Sequence, residues 1–115
     1  MPTSPIEALA ARQLDAYNAG DLDAFLECYH PHVVVWEGRD LTVEGRDAMR
    51  ERYAAMFEQG GFGATVPERL AAGRHCVDLE RWWRIDPITA LRREGELLVR
   101  YTLLDDFIGE VQFLD

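Results

Sequence analysis

The chain has 115 residues, enough for one domain with its own core and too few for two. Its 21 acidic and 12 basic side chains give a formal charge of -9, a surface that repels nucleic-acid phosphates and anionic membranes. An apolar content of 48% argues against a disordered chain, and no apolar run is long enough to span a bilayer. With no signal-peptide pattern at the start, a cytoplasmic location is expected, with Cys28 and Cys76 as free, buried thiols.

Ser4-Pro5-Ile6-Glu7 reads as a helix start, with Ser4 as cap, Pro5 at the first helical position and Glu7 closing a capping box. Ile6, Leu9, Ala10, Leu14 and Tyr17 then make an apolar stripe at helical spacing, and Gly20 stops the helix. Asp21 caps a second helix that runs to about Tyr29, where Pro31 prevents extension. Val33 to Glu37 reads as a strand, with Val33, Val35 and Glu37 on one face and Val34 and Trp36 on the other. Gly38-Arg39-Asp40 reads as a turn. A third helix runs from Gly45 or Arg46 to about Gln59, with an apolar face of Ala48, Met49, Tyr53, Met56 and Phe57, and ends at Gly60-Gly61.

Strands are expected near Ala64–Ala72, His75–Arg84, Glu96–Leu104 and Gly109–Leu114, punctuated by Gly73, Pro87, Gly95 and Asp105-Asp106. The turn before the last strand has no standard hairpin signature. Helices followed mostly by strands imply α+β architecture. A curved antiparallel sheet buries one face under the helices, and the space left between them becomes a pocket. The outer face meets water or a second subunit.

Several residues carry chemical potential. Gln13 lies within the apolar stripe of the first helix, so its amide needs partners: either backbone groups or a ligand in the pocket. Glu37 reads either as a solvated strand end paired with Arg39 or as a pocket carboxylate; Trp36, opposite, packs structurally. On the third predicted strand, His75–Arg84, Asp78, Glu80 and Trp82 share one face, while His75, Val77, Leu79, Arg81 and Trp83 share the other. Asp78 and Glu80 read as a surface charge lattice first and a pocket pair second. His30, His32 and His75 lack the tight spacing of a zinc site, so no metal is expected; His75 is a candidate acid–base group beside Glu37. Tyr53 and Phe57 are expected in the core and the pocket wall, and Val111 and Phe113 share a face of the last strand.

The segments Tyr17–Phe25 (YNAGDLDAF), Cys28–Val33 (CYHPHV), Gly45–Tyr53 (GRDAMRERY) and Gly73–Arg81 (GRHCVDLER) together resemble the NTF2-like superfamily, in its SnoaL-like, ketosteroid-isomerase-like branch. The resemblance covers almost the whole chain and implies one domain spanning residues 1–115. It implies a cone: three helices in the N-terminal half, packed on a strongly curved, mainly antiparallel sheet that encloses a pocket. It also implies a homodimer formed through the outer sheet face.

In ketosteroid isomerases a carboxylate at the end of the first strand moves a proton, while a helix-one tyrosine and a late-strand aspartic acid hold the developing oxyanion. By that resemblance Glu37 stands at the base position, but Gln13 replaces the tyrosine and Leu98 the acid; Tyr17 lies one turn further along. Val35, Leu98, Val111 and Phe113, with Tyr53 and Phe57, are the implied ligand contacts. Two readings follow. One is a non-catalytic domain, without cofactor, that binds a small apolar or carbonyl-containing molecule. The other is an isomerase or a hydratase/lyase acting by proton transfer, with Glu37 as base and Gln13, Tyr17 or His75 orienting oxygen.

Overall fold

A computed structural model describes residues 3–114. The elements run α1 (Pro5–Ala19), α2 (Leu22–Glu27), β1 (Tyr29–Glu37), β2 (Asp40–Glu44), α3 (Arg46–Gln59), β3 (Phe62–Ala72), β4 (His75–Ile85), β5 (Arg92–Leu104) and β6 (Phe107–Leu114). The six strands form one sheet in the order β2-β1-β6-β5-β4-β3. Every pairing is antiparallel except β1 with β6, which is parallel. The expected α+β cone is what the structure shows: three helices on a curved, unclosed sheet.

Local chemistry sets the helix ends. The Ser4 hydroxyl accepts the Glu7 backbone N–H while the Glu7 carboxylate reaches back to Ser4, a complete capping box. Gly20 closes α1 at φ 69°, in the left-handed region that disfavours other residues. The Asp21 carboxylate then accepts the Ala24 N–H and opens α2. β1 starts at Tyr29 rather than Val33, so Pro31 lies inside a strand, at a position that makes no ladder pair. The short strand β2 is not foreseen by the sequence; it buries only Val43 of its five residues, too little alternation to read. The turn into β6 is Asp105-Asp106, with Asp105 in the left-handed region at φ 53°.

Alternation along β4 determines what the concave face carries. Cys76 and Asp78 are buried, so Glu80, Trp82 and Arg84 also leave the strand on the inner side. Two features lock this register. Asp78, 1% exposed, receives two hydrogen bonds from its register partner Arg69, at 2.6 and 2.9 Å. Trp82 lies across its partner Gly95, where a Cβ would overlap the indole ring.

Candidate functional site

Beneath the helices is an inner cavity of about 290 Å³. At its floor α1, β1 and β5 meet in a hydrogen-bonded chain. The Tyr29 hydroxyl donates to Gln13 Oε1 at 2.9 Å, and Gln13 Nε2 donates to the Tyr101 hydroxyl at 3.1 Å and to the Ala10 carbonyl at 3.1 Å. Burial pushes both tyrosine hydroxyls well above their ordinary pKa, so both remain protonated. Tyr101 accepts its bond from Gln13, which leaves its own proton uncommitted by that contact.

The wall is aromatic. Tyr17 packs 4.7 Å from Phe62 and 6.0 Å from Phe25, and Phe25 packs 5.3 Å from Tyr53. Into this setting β4 projects Glu80, Trp82 and Arg84. The Glu80 carboxyl is pushed from 4.5 up to about 7; burial contributes most, the Asp78 charge adds to it, and Arg84 opposes it. Burial also lifts the Tyr53 hydroxyl to about 12.

Tyr53, Arg84, Leu97 and Phe113 border both this cavity and a wider outer one of about 820 Å³, which opens at the end of the cone. Glu37 stands in the outer cavity, its side chain 47% exposed, in an ion pair with Arg52 of α3. Arg52 also donates to the Thr42 hydroxyl at 3.0 Å.

The structure thus brings Gln13, Tyr17, Tyr53, Val111 and Phe113 together around the inner cavity. Gln13 combines both roles weighed for it, bonding to backbone and facing the cavity. Glu37 is set apart at the mouth, and its partner is Arg52, not Arg39. Val35 and Phe57 are buried in the core and border neither cavity; Phe57 instead buttresses Tyr17 at 5.9 Å.

Two expected positions are corrected by strand alternation. His75 is exposed on the outer face, with Nδ1 3.0 Å from the Thr102 hydroxyl. Leu98 also faces outward, 44% exposed, because its neighbours Leu97 and Val99 point inward. The sequence singles out none of Trp82, Arg84, Tyr29 and Tyr101, and gives Glu80 a pocket role only as the second reading. The one available signal was that Asp78, Glu80 and Trp82 share a face; which side that face takes depends on tertiary packing. Among the described residues, no cluster of three or more His, Cys, Asp or Glu is placed to hold a metal. His30 instead faces Asp105 at 3.0 Å.

A bent sheet roofed by helices, with a blind aromatic cavity at its centre, is the NTF2-like architecture. The chain belongs to the SnoaL-like domain family, which it matches over residues 10–108. No curated protein sequence matches it significantly. Among solved structures it is similar to an uncharacterised cystatin-fold protein from Novosphingobium aromaticivorans, at 21% identity and TM-score 0.84, covering 99% of this chain and 100% of that one. It is similar to a Δ5-3-ketosteroid isomerase from Mycobacterium sp., at 14% identity and TM-score 0.87, covering 98% and 94%. A Mycobacterium tuberculosis protein in complex with estradiol-17β-hemisuccinate is similar at 13% identity and TM-score 0.85, covering 96% and 93%.

Glu80 makes stability depend on pH in a stated direction. Its carboxyl titrates higher in the folded protein than in the unfolded chain, so the folded state holds the extra proton between 4.5 and about 7. Its contribution is complete below 4.5 and is lost as pH rises through 7. Glu80→Gln is therefore expected to stabilise the protein by about 3 kcal/mol at pH 8 and by almost nothing at pH 4. Urea unfolding of both proteins at the two pH values measures this; an equal difference at both would contradict it.

Proposed function

We propose that this protein binds a compact, largely apolar molecule bearing a hydrogen-bonding group such as a carbonyl, and that it does so without cofactor or chemistry. The observation that carries the reading is a preformed aromatic cavity on which polar groups converge, Gln13, Tyr101, Glu80 and Arg84 among them. The likeness to the isomerase and to the estradiol-derivative complex supports it at the level of fold. Glu37 argues for binding rather than catalysis, because it is half-exposed and held by Arg52 outside the inner cavity.

A second reading, proton transfer on a small apolar carbonyl compound, is favoured by Glu80 rather than by Glu37. A carboxyl titrating at about 7 beside tyrosine hydroxyls is suited to take and return a proton near neutrality. The homodimer expected through the outer sheet face is supported by Leu79, Leu98 and Leu114, which are register neighbours across β4, β5 and β6.

A thermal-shift panel of compact carbonyl compounds, followed by calorimetric titration, tests the binding. Leu97→Trp, which fills the passage between the cavities, is expected to weaken a binder by roughly tenfold or more, while Glu37→Gln changes affinity by less than about twofold. Equal binding by the Leu97→Trp protein would rule out the inner cavity. For the second reading, deuterium from solvent enters the bound compound's α-position with the unchanged protein and not with Glu80→Gln; exchange equal to buffer alone removes it. Sedimentation equilibrium is expected to give a dimer that Leu98→Glu converts to monomer, and a monomer at all concentrations would refute the interface.

A further inference from the structure

Arg84 and Arg93 are direct register partners on β4 and β5. Their side chains therefore leave the sheet on the same side, and both border the outer cavity. Like charges facing each other across a ladder are destabilising unless something neutralises them. Neither guanidinium forms an ion pair with a carboxylate among the described residues. The acids beside them are shared with other groups: Glu37 holds Arg52, Asp86 feels Arg93 while its Oδ1 accepts the N–H groups of Ile88 and Thr89 at 2.8 and 2.9 Å, and Glu80 feels Arg84 from within the inner cavity. Compensation from within the protein is only partial: Glu80 and the Trp82 ring lie near Arg84 and Asp86 near Arg93, but no carboxylate among the described residues bridges the two cations, a pattern typical of functional sites.

We infer that Arg84 and Arg93 bind the anionic end, a carboxylate or similar group, of a ligand whose apolar body fills the inner cavity. The inference deepens the binding reading and rests on it. Arg84 is the hinge of the geometry, since it borders both cavities, with its guanidinium 5.8 Å from the centre of the Trp82 ring. An anion there stays at the wetter end, while the apolar part lies against Trp82, Tyr17 and Phe113. The reverse orientation would strip water from the charge with no cation at the floor to replace it. Planar guanidinium groups match a carboxylate with paired hydrogen bonds, which a single ammonium does not. The site also runs against the whole molecule: the chain carries -9, yet the mouth presents Arg52, Arg84 and Arg93 against Glu37 and Asp86.

Two dyes with one apolar frame provide the test: 8-anilinonaphthalene-1-sulfonate, and N-phenyl-1-naphthylamine, which lacks the sulfonate. The unchanged protein is expected to bind the sulfonate roughly tenfold or more tightly, with the advantage falling as salt is raised. Arg84→Met with Arg93→Met removes the advantage, read as the ratio of the two dyes' affinities within that variant; Arg93→Gln alone gives an intermediate loss. Leu97→Trp weakens both dyes. Melting of the double variant is unchanged or higher, since two facing cations are gone. Equal affinity for the two dyes with binding intact overturns the anion site and spares the binding reading. An advantage that survives in the double variant overturns the assignment to these arginines. Failure of both dyes to bind overturns the anion site and the binding reading together.

Discussion

The buried contact between Arg69 and Asp78 is the constraint from which the site follows. Asp78 is almost fully shielded from water, and a slip of β4 by one residue would turn it to the outer face, leave Arg69 without its partner and bring Arg81 inward. Leaving one partner of such a pair unmatched costs about 3–5 kcal/mol, a large share of what a domain this size has to spare. Trp82 against Gly95 inside and Trp83 against Gly63 outside fit only the same register. With β4 held this way, Glu80 and Arg84 have no choice of side.

The floor of the cavity depends on a second kind of satisfaction. Gln13 would be an expensive residue inside an apolar stripe if its amide were idle. It binds one tyrosine from the first strand and another from the fifth, so the same bonds that satisfy it tie α1 to the sheet. Above that floor the aromatic side chains of α1, α2 and α3 brace one another, and the space between them stays open. Glu80 is the exception to this economy. Its ionised form is opposed by its surroundings, so it lowers stability near neutral pH without serving the core.

The sequence displayed what is local and hid what is tertiary. Ser4, Gly20, Asp21 and Gly60 act on the backbone beside them, so those helix ends were legible, whereas α2, expected to reach about Tyr29, stops at Glu27. Gln13 stood out because a polar residue interrupted an apolar repeat. Glu80 could not be singled out, because period-two alternation separates two faces without saying which is inside. The same ambiguity misplaced His75, one residue from the inward Cys76, whereas Leu98 came from counting along the family resemblance and falls one residue from the inward Leu97. Glu37 was paired by proximity in sequence with Arg39, but α3 packs across the strand end and brings Arg52, which no spacing rule anticipates. Arg84 and Arg93 became a pair only once the β4–β5 ladder was known.

The parallel seam between β1 and β6 bears on how the molecule comes into being. Val35 lies beside Val111, and Ile108 donates to the Cys28 carbonyl, so a strand near the start of the chain waits for one near its end. During synthesis the helices and the β3–β4 hairpin can gather from nearby contacts, but β1 keeps one bare edge until residues 107–114 emerge. Exposed apolar strand edges invite pairing with other chains. The cavity is therefore completed at the same moment that this edge is covered, and a chain halted before β6 is both siteless and adhesive.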